Sequence, residues 1–328
     1  MYLDLREQLA AVRGAGRLFA ASAPNRGPRL ITRPVPIVSR NATTASSTLN
    51  GLMTKNDSST RFAGLAADSG GESDDRPPVV LLHGLSFDRT MWRPALRELE
   101  HVDPARRVLA LDLPGHGQSN HTGAYDIEQV AGAVHEAVAA AQLGAPIVVG
   151  HSMSAGIAAI YATTYPARGV VNVDQPLQIA PFAHLVKSLA TKIRGPEFPA
   201  VWEQFAASFH TELLPPAAQE LVRSTCDPRQ ELIAGYWRAV MDDPVEDTVD
   251  LVTRTVASMR AAKLPCVVVA GDELDAEYRD WLTGVLPQVE IVVWPRSSHF
   301  PNLAHPDRFA RVLADTARWP AASHTGSP

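Results

Sequence analysis

The chain has 328 residues, of which 45% are hydrophobic and 20% charged, enough apolar material for one large α/β domain or two smaller ones. A formal net charge of −5 over this length gives no basic surface for nucleic acid. No apolar run approaches the roughly 18 residues that a bilayer span requires, and Cys226 and Cys266, far apart and outside any CxxC or Cys/His spacing, read as free buried thiols and not as metal ligands.

Residues 1–46 read as an N-terminal extension that is poorly ordered. Asp4 and Glu7 precede its weakly apolar part, so Met1 to Ala23 predicts a short amphipathic helix, the alternative being a cleaved targeting segment. With no apolar span, the expected compartment is the cytoplasm. Pro24 to Ser47 is rich in Pro, Arg, Ser and Thr and has no period. Two modest strands are expected at Ser47 to Lys55 and Thr60 to Ala67, then a polar turn from Asp68 to Arg76. Val79-Val80-Leu81-Leu82 is too short for a helix and apolar throughout, as a central parallel strand covered on both faces must be.

A helix carrying Trp92, Leu96 and Leu99 follows, then a strand from Arg107 to Leu111. That strand runs into Asp112-Leu113-Pro114-Gly115-His116-Gly117-Gln118-Ser119, where Pro114 and the missing third glycine argue against a dinucleotide loop. Asp126 opens a helix from Ile127 to Gln142, and Pro146 starts the strand that ends at Gly150. Further strands are expected at Gly169 to Asp174, Cys266 to Ala270 and Val289 to Trp294, with a last helix from Pro306 to Trp319. Between Gln175 and Lys263 there are only helix-like segments broken by proline. The alternation predicts an α/β fold, a doubly wound and mostly parallel sheet with an inserted helical cap. The expected division is a core over 47–174 and 264–320, a cap over 175–263 and a flexible tail over 321–328.

One stretch concentrates the chemistry. Ile147-Val148-Val149-Gly150-His151-Ser152 leads through a sharp turn into the small-residue segment Ala155-Gly156-Ile157-Ala158-Ala159, which places the Ser152 hydroxyl at the carboxyl end of the sheet near a helix N-terminus. Serine needs a base, and reactive groups of open parallel sheets converge where strands end. His299, in Ser297-Ser298-His299-Phe300-Pro301 after the last strand, is the expected base. His83 and His116 lie in glycine turns and read as loop-holding residues, and His151 points away if Ser152 is the apex. The acid is less determined. Asp275 after the penultimate strand is the expected partner of His299, with Asp174 after the preceding strand and then Asp272 as alternatives. The backbone N–H groups of Met153 and Leu85 are the expected oxyanion donors. Trp202, Phe205 and Phe209, and likewise Tyr236 and Val240, fall at helical spacing as an apolar wall or as packing of the cap.

His83-Gly84, the Asp112 to Ser119 run, Gly150-His151-Ser152-Met153-Ser154 and His299-Phe300-Pro301-Asn302-Leu303 with His305-Pro306 together resemble the α/β-hydrolase superfamily, in particular serine hydrolases with a helical cap. The resemblance covers about Thr60 to Trp319. It implies Ser152 as nucleophile, His299 as base, Leu85 and Met153 as oxyanion donors, and no cofactor. Two positions depart from the pattern: Ser154 stands where glycine is usual, and Leu274 stands where the acid is usual, so that one inserted residue would bring Asp275 into register. A serine nucleophile points away from the dehalogenases and epoxide hydrolases, which use a carboxylate. The expected activity is hydrolysis of a small or medium carboxylic ester or related acyl compound through an acyl-enzyme. A C–C bond hydrolase, a lactonase, a perhydrolase or a non-catalytic ligand-binding protein on the same fold are the alternatives. The expected partner is a small molecule.

Overall fold

The computed structural model describes residues 60–319 apart from Thr122 and Ala124. The readings over Met1 to Ala23, Pro24 to Ser47, Ser47 to Lys55 and 321–328 lie outside the described residues. Among the described residues, strands β1 (Thr60–Phe62), β2 (Leu65–Gly70), β3 (Val79–Leu82), β4 (Val108–Leu111), β5 (Ile147–His151), β6 (Gly169–Val173), β7 (Cys266–Ala270) and β8 (Val289–Val293) form one sheet. Their order is β1-β2-β4-β3-β5-β6-β7-β8. β1 and β2 are antiparallel to each other, β2 is antiparallel to β4, and the pairs from β4 to β8 are parallel.

The strand expected from Thr60 to Ala67 is two strands. Ala63 (φ 48°) and Gly64 (φ 87°) both take left-handed conformations and fold the run into a hairpin, the turn whose twist matches its flanking strands. Gly64 is the one residue in the run whose type marks the turn, since Ala63 beside it gives no turn signal of its own.

Strand side chains alternate between two faces. Val80, Leu82, Leu109 and Val148 join one buried layer, with Val134 of α2 (Ile127–Ala140) and Ile157 of α3 (Ser154–Thr164). Val79, Leu81, Ala110 and Val149 join the other, with Leu99 of α1 (Arg93–Val102) and, near the C-terminus, Phe309. All four side chains of β3 are wholly buried, so each Val or Leu there stabilises the fold by about 1.5–3 kcal/mol relative to exposure. A run apolar on every residue is therefore a strand covered on both sides.

Between β6 and β7 the chain builds α4 (Ala180–Ser188), α5 (Ala190–Arg194), α6 (Phe198–Ala207), α7 (Pro216–Thr225), α8 (Gln230–Tyr236), α9 (Arg238–Asp242) and α10 (Val245–Ala261). Prolines fix these boundaries: Pro181, Pro199 and Pro216 lie in the first turns of α4, α6 and α7, where the missing N–H costs nothing. After β7 come α11 (Ala276–Val285), α12 (Pro301–Ala304) and α13 (Pro306–Ala314). The last helix stops at Ala314, short of the expected Trp319, whose indole Nε1–H turns back to donate to the Val312 carbonyl at 3.1 Å.

The helical segment is tied to loops at the carboxyl edge of the sheet. The Asp227 N–H donates to the Ser86 carbonyl at 2.8 Å, the Tyr236 hydroxyl to the Pro114 carbonyl at 2.9 Å, and the Arg229 guanidinium to the Gly115 carbonyl. Arg238 forms an ion pair with Asp126, at the start of α2. Residues 227–238 of the segment are thus joined to the loops after β3 and β4 and to the start of α2.

Candidate active site

Ser152 follows β5 directly and has φ 55°, a left-handed conformation that costs a non-glycine residue about 1–3 kcal/mol. The turn is over-determined by its neighbours. Its own N–H donates to the Val173 carbonyl at 2.9 Å, and its carbonyl accepts from the Ala155 N–H at 2.8 Å. A Cβ on Gly150 would lie 2.1 Å from the Ser154 carbonyl oxygen, so β5 and α3 can cross here only over a bare glycine. Ser154 is fully buried and its hydroxyl donates to the His83 carbonyl, which joins the elbow to the loop after β3. The glycine usual at that place is replaced by a hydroxyl with a partner. Met153 precedes the first turn of α3, where backbone N–H groups and the helix dipole favour developing negative charge.

Leu85 lies in the loop after β3, and two histidines shape that loop. His83 Nε2 accepts the Leu113 N–H at 3.0 Å, which leaves the proton on Nδ1, 2.8 Å from the Gly84 carbonyl. His116 Nε2 accepts the Ser86 N–H at 3.1 Å, and its Nδ1 is 3.2 Å from the Pro114 carbonyl. Burial pushes the pKa of both imidazoles down, His116 well below the ordinary value, so each is held as a neutral donor–acceptor. Asp112, wholly buried, accepts the Arg89 N–H at 2.7 Å and the Gln118 N–H at 2.8 Å and pairs with the Arg89 guanidinium. The Asp112 to Ser119 run is thus a scaffold for the Leu85 loop, as the reading of His83 and His116 as loop-holding residues requires.

The structure pairs His299 with Asp174, the alternative, and not with Asp275. His299 Nδ1 lies 2.7 Å from Asp174 Oδ2, and the other carboxylate oxygen of Asp174 accepts the Gly271 N–H at 2.8 Å. Asp275 instead caps α11, accepting the Glu277 N–H at 2.7 Å, and Asp272 accepts the Glu273 N–H at 2.9 Å. The reason is local. An aspartate two residues before a helical N–H satisfies that orphan donor, whereas Asp174, left-handed at φ 55°, turns out at the end of β6 between β5 and β7. The strand order brings the three loops together: Ser152 and Asp174 end adjacent strands, and His151, just before Ser152, has its ring 4.7 Å from that of His299.

His151 is buried, and its Nε2–H is 2.8 Å from the His299 carbonyl. Reading it only as pointing away from the apex missed this anchoring contact. Phe209, just beyond α6, was grouped with an apolar wall; its ring stacks on His299 with centroids 5.1 Å apart and planes 22° apart. Phe205 packs inside the helical segment against Phe182 and Trp237, and Tyr236 packs on His116 and Tyr125. Helical spacing put these aromatics on one side of a helix but could not sort which of them meets the strand ends.

Two cavities open elsewhere. One of about 340 Å³ lies beside Phe62, Gly71, Arg107 and Gln142, and one of about 110 Å³ lies beside Ser86, His116, Thr225 and Arg229. Neither is lined by Ser152 or His299. Among the described residues no group of three or more His, Cys, Asp or Glu side chains is arranged to hold a metal ion, and no helix is long and apolar enough to cross a membrane. Cys226 and Cys266 are free thiols, raised by burial to about 11 and about 12.

Comparison with known proteins gives the family and the fold. The alpha/beta hydrolase family profile matches residues 79–312. A probable alcohol acetyltransferase of Saccharomyces cerevisiae is 30% identical over 128 residues, which is 37% of this chain and 37% of the yeast protein. A putative carbamate hydrolase of Escherichia coli is 37% identical over 102 residues, 30% of this chain and 37% of the bacterial one. The chain thus spans little more than a third of the length of these two curated relatives. A solved thermophilic esterase from Thermogutta terrifontis superposes with a TM-score of 0.60 at 23% identity, covering 77% of this chain and 93% of the esterase. The profile match takes in the strands from β3 to β8, the Ser152 turn and the His299 loop alike. The chain belongs to the alpha/beta hydrolase family of enzymes.

Proposed function

We propose that the chain is a cofactor-free serine hydrolase of small or medium carboxylic esters or related acyl compounds, with Ser152 as nucleophile, His299 as base and Asp174 as acid. The observation that carries it is the His299 Nδ1 to Asp174 Oδ2 contact of 2.7 Å beside a strained serine at the end of the neighbouring strand. Asp174 fixes the tautomer of His299, leaving Nε2 to accept a proton. Ser152 Oγ adds to the acyl carbonyl as Nε2 takes its proton. The oxyanion is met by the N–H groups of Met153, at the start of α3, and Leu85. Collapse of the adduct passes the proton to the leaving alkoxide and leaves an acyl-Ser152 ester. Water, deprotonated by the same imidazole, then releases the acid and restores the hydroxyl.

Residues 47–174 and 264–320 make up the core in this reading, and 175–263 the cap over it. Met153, next to the serine, and Trp202, which backs Phe209 beside His299, favour an apolar acyl or alcohol group. The descriptions of the yeast and bacterial relatives, an acetyltransferase and a carbamate hydrolase, support acyl chemistry and make an alcohol an alternative acceptor to water. A fluorophosphonate probe tests the proposal. One equivalent is expected to bond to Ser152, and none in Ser152→Ala. A folded wild-type protein that stays unlabelled overturns it.

A further inference from the structure

We infer that Phe209 is a positioning residue for His299, so that the helical segment takes part in assembling the base. The inference rests on the proposed role of His299.

The loop that carries His299 cannot hold its own shape cheaply. Arg296 (φ 62°) and Ser298 (φ 61°) are both left-handed non-glycine residues within four positions of chain, strained conformations that persist only where the surroundings enforce them. Three of the contacts that enforce it come from one residue of the helical segment. The Phe209 carbonyl accepts the His299 N–H at 3.1 Å and the Ser298 hydroxyl at 2.8 Å. The Phe209 ring lies nearly parallel to the imidazole at 5.1 Å and is itself backed edge-on by Trp202 at 6.2 Å. From the core, His151 bonds the His299 carbonyl at 2.8 Å and Asp174 bonds Nδ1 at 2.7 Å. Core contacts thus fix one end of the residue, while the backbone N–H and one face of the ring are fixed from the segment. If the segment lifts, His299 loses its N–H acceptor and its stacking surface together. A displacement of about 1 Å in a reacting group lowers a rate by on the order of 100-fold.

The test compares Phe209→Leu, Phe209→Tyr and Ser298→Ala with wild type in the full chain, using p-nitrophenyl acetate, whose acyl group is too short to need an apolar wall. Phe209→Leu is expected to lower kcat by roughly 10- to 100-fold with KM within about threefold, and to broaden the low-field Nδ1–H proton resonance of His299. Phe209→Tyr, which keeps the stacked face, is expected to restore both. Ser298→Ala, which leaves the pocket untouched and serves if Phe209→Leu fails to fold, is expected to shift kcat and the resonance the same way. The inference is overturned if wild type is labelled by fluorophosphonate at Ser152 while folded Phe209→Leu or Ser298→Ala keeps the wild-type kcat and a sharp resonance. It is also overturned if Phe209→Leu changes only KM and acyl-chain preference. An unlabelled wild type overturns the reading of the site itself, a separate outcome.

Discussion

Asp174 and His299 are 125 residues apart in the chain, and their side chains meet at 2.7 Å across the ends of neighbouring loops. Sheet order, and not sequence order, decides this pairing. β6 lies directly between β5 and β7, so an acid at its end stands beside the serine turn and beneath the last loop.

Replacing each acid in turn separates the two candidates. Asp174→Asn removes the charge that orients and stabilises the imidazolium, and is expected to lower kcat by about 10⁴, the effect of the same change in a serine protease triad. Asp275→Asn alters only the cap of α11 and is expected to keep near-wild-type kcat with a stability change within about 1 kcal/mol. Steady-state hydrolysis of p-nitrophenyl acetate and urea unfolding of both variants check this. A large loss of kcat in Asp275→Asn with none in Asp174→Asn reverses the assignment.

The neutral state of His83 and His116 makes the fold sensitive to mild acid. Burial lowers both folded-state pKa values below the ordinary 6.5. Below that pH the unfolded chain binds protons that the folded chain refuses, so stability is full above about 6.5 and is lost as pH falls toward the folded-state values. Thermal unfolding from pH 7.5 to 5.5 is expected to show Tm falling below pH 6.5, and His116→Gln is expected to flatten that slope. A change of at least about 2 °C, the shift that 1 kcal/mol gives a chain of this size, is the threshold. A slope identical in the variant contradicts the assignment to His116.

Much of this molecule was legible in the sequence because the legible parts are local. The apolar run of β3, the small residues of α3 and the glycine turns each carry their own signal, and Ser152 and His299 follow strands that alternate apolar runs make plain. The Ala63–Gly64 hairpin was hidden because its first arm is only three residues long, Thr60 to Phe62, and Ala63 carries no turn signal. The acid was not determined, because Asp174 and Asp275 both follow strands and sequence says nothing of which carboxylate is consumed by a helix cap. The facing of Phe209 toward His299 was beyond reach for the same reason: helical spacing groups aromatics on a face without naming what the face meets. Position along one element is readable, and the meeting of two distant loops is not.

The two cysteines offer a check on burial. Cys266 lies in β7 and Cys226 at the end of α7; both are free, with thiols raised to about 12 and about 11. Since the thiolate is the reactive form, disulfide exchange with Ellman's reagent at pH 8 is expected to be slow in the native protein and to reach two equivalents in guanidinium. Rapid titration of both in the native state contradicts this placement.

Gly150 sets the geometry on which Ser152 depends. Its missing Cβ leaves room for the Ser154 carbonyl, which a methyl group would approach to 2.1 Å, a contact with backbone and not with a flexible side-chain end. Gly150→Ala must therefore push β5 and α3 apart, a shift that well-packed cores resist at about 1–3 kcal/mol or more. The same displacement releases the left-handed strain at Ser152, so activity is expected to fall further than stability. The measurement is fluorophosphonate labelling beside urea unfolding: labelling slowed by at least about 100-fold in a protein that still unfolds cooperatively. Gly150→Ala that labels at the wild-type rate would show that the close crossing of β5 and α3 is not what presents the serine.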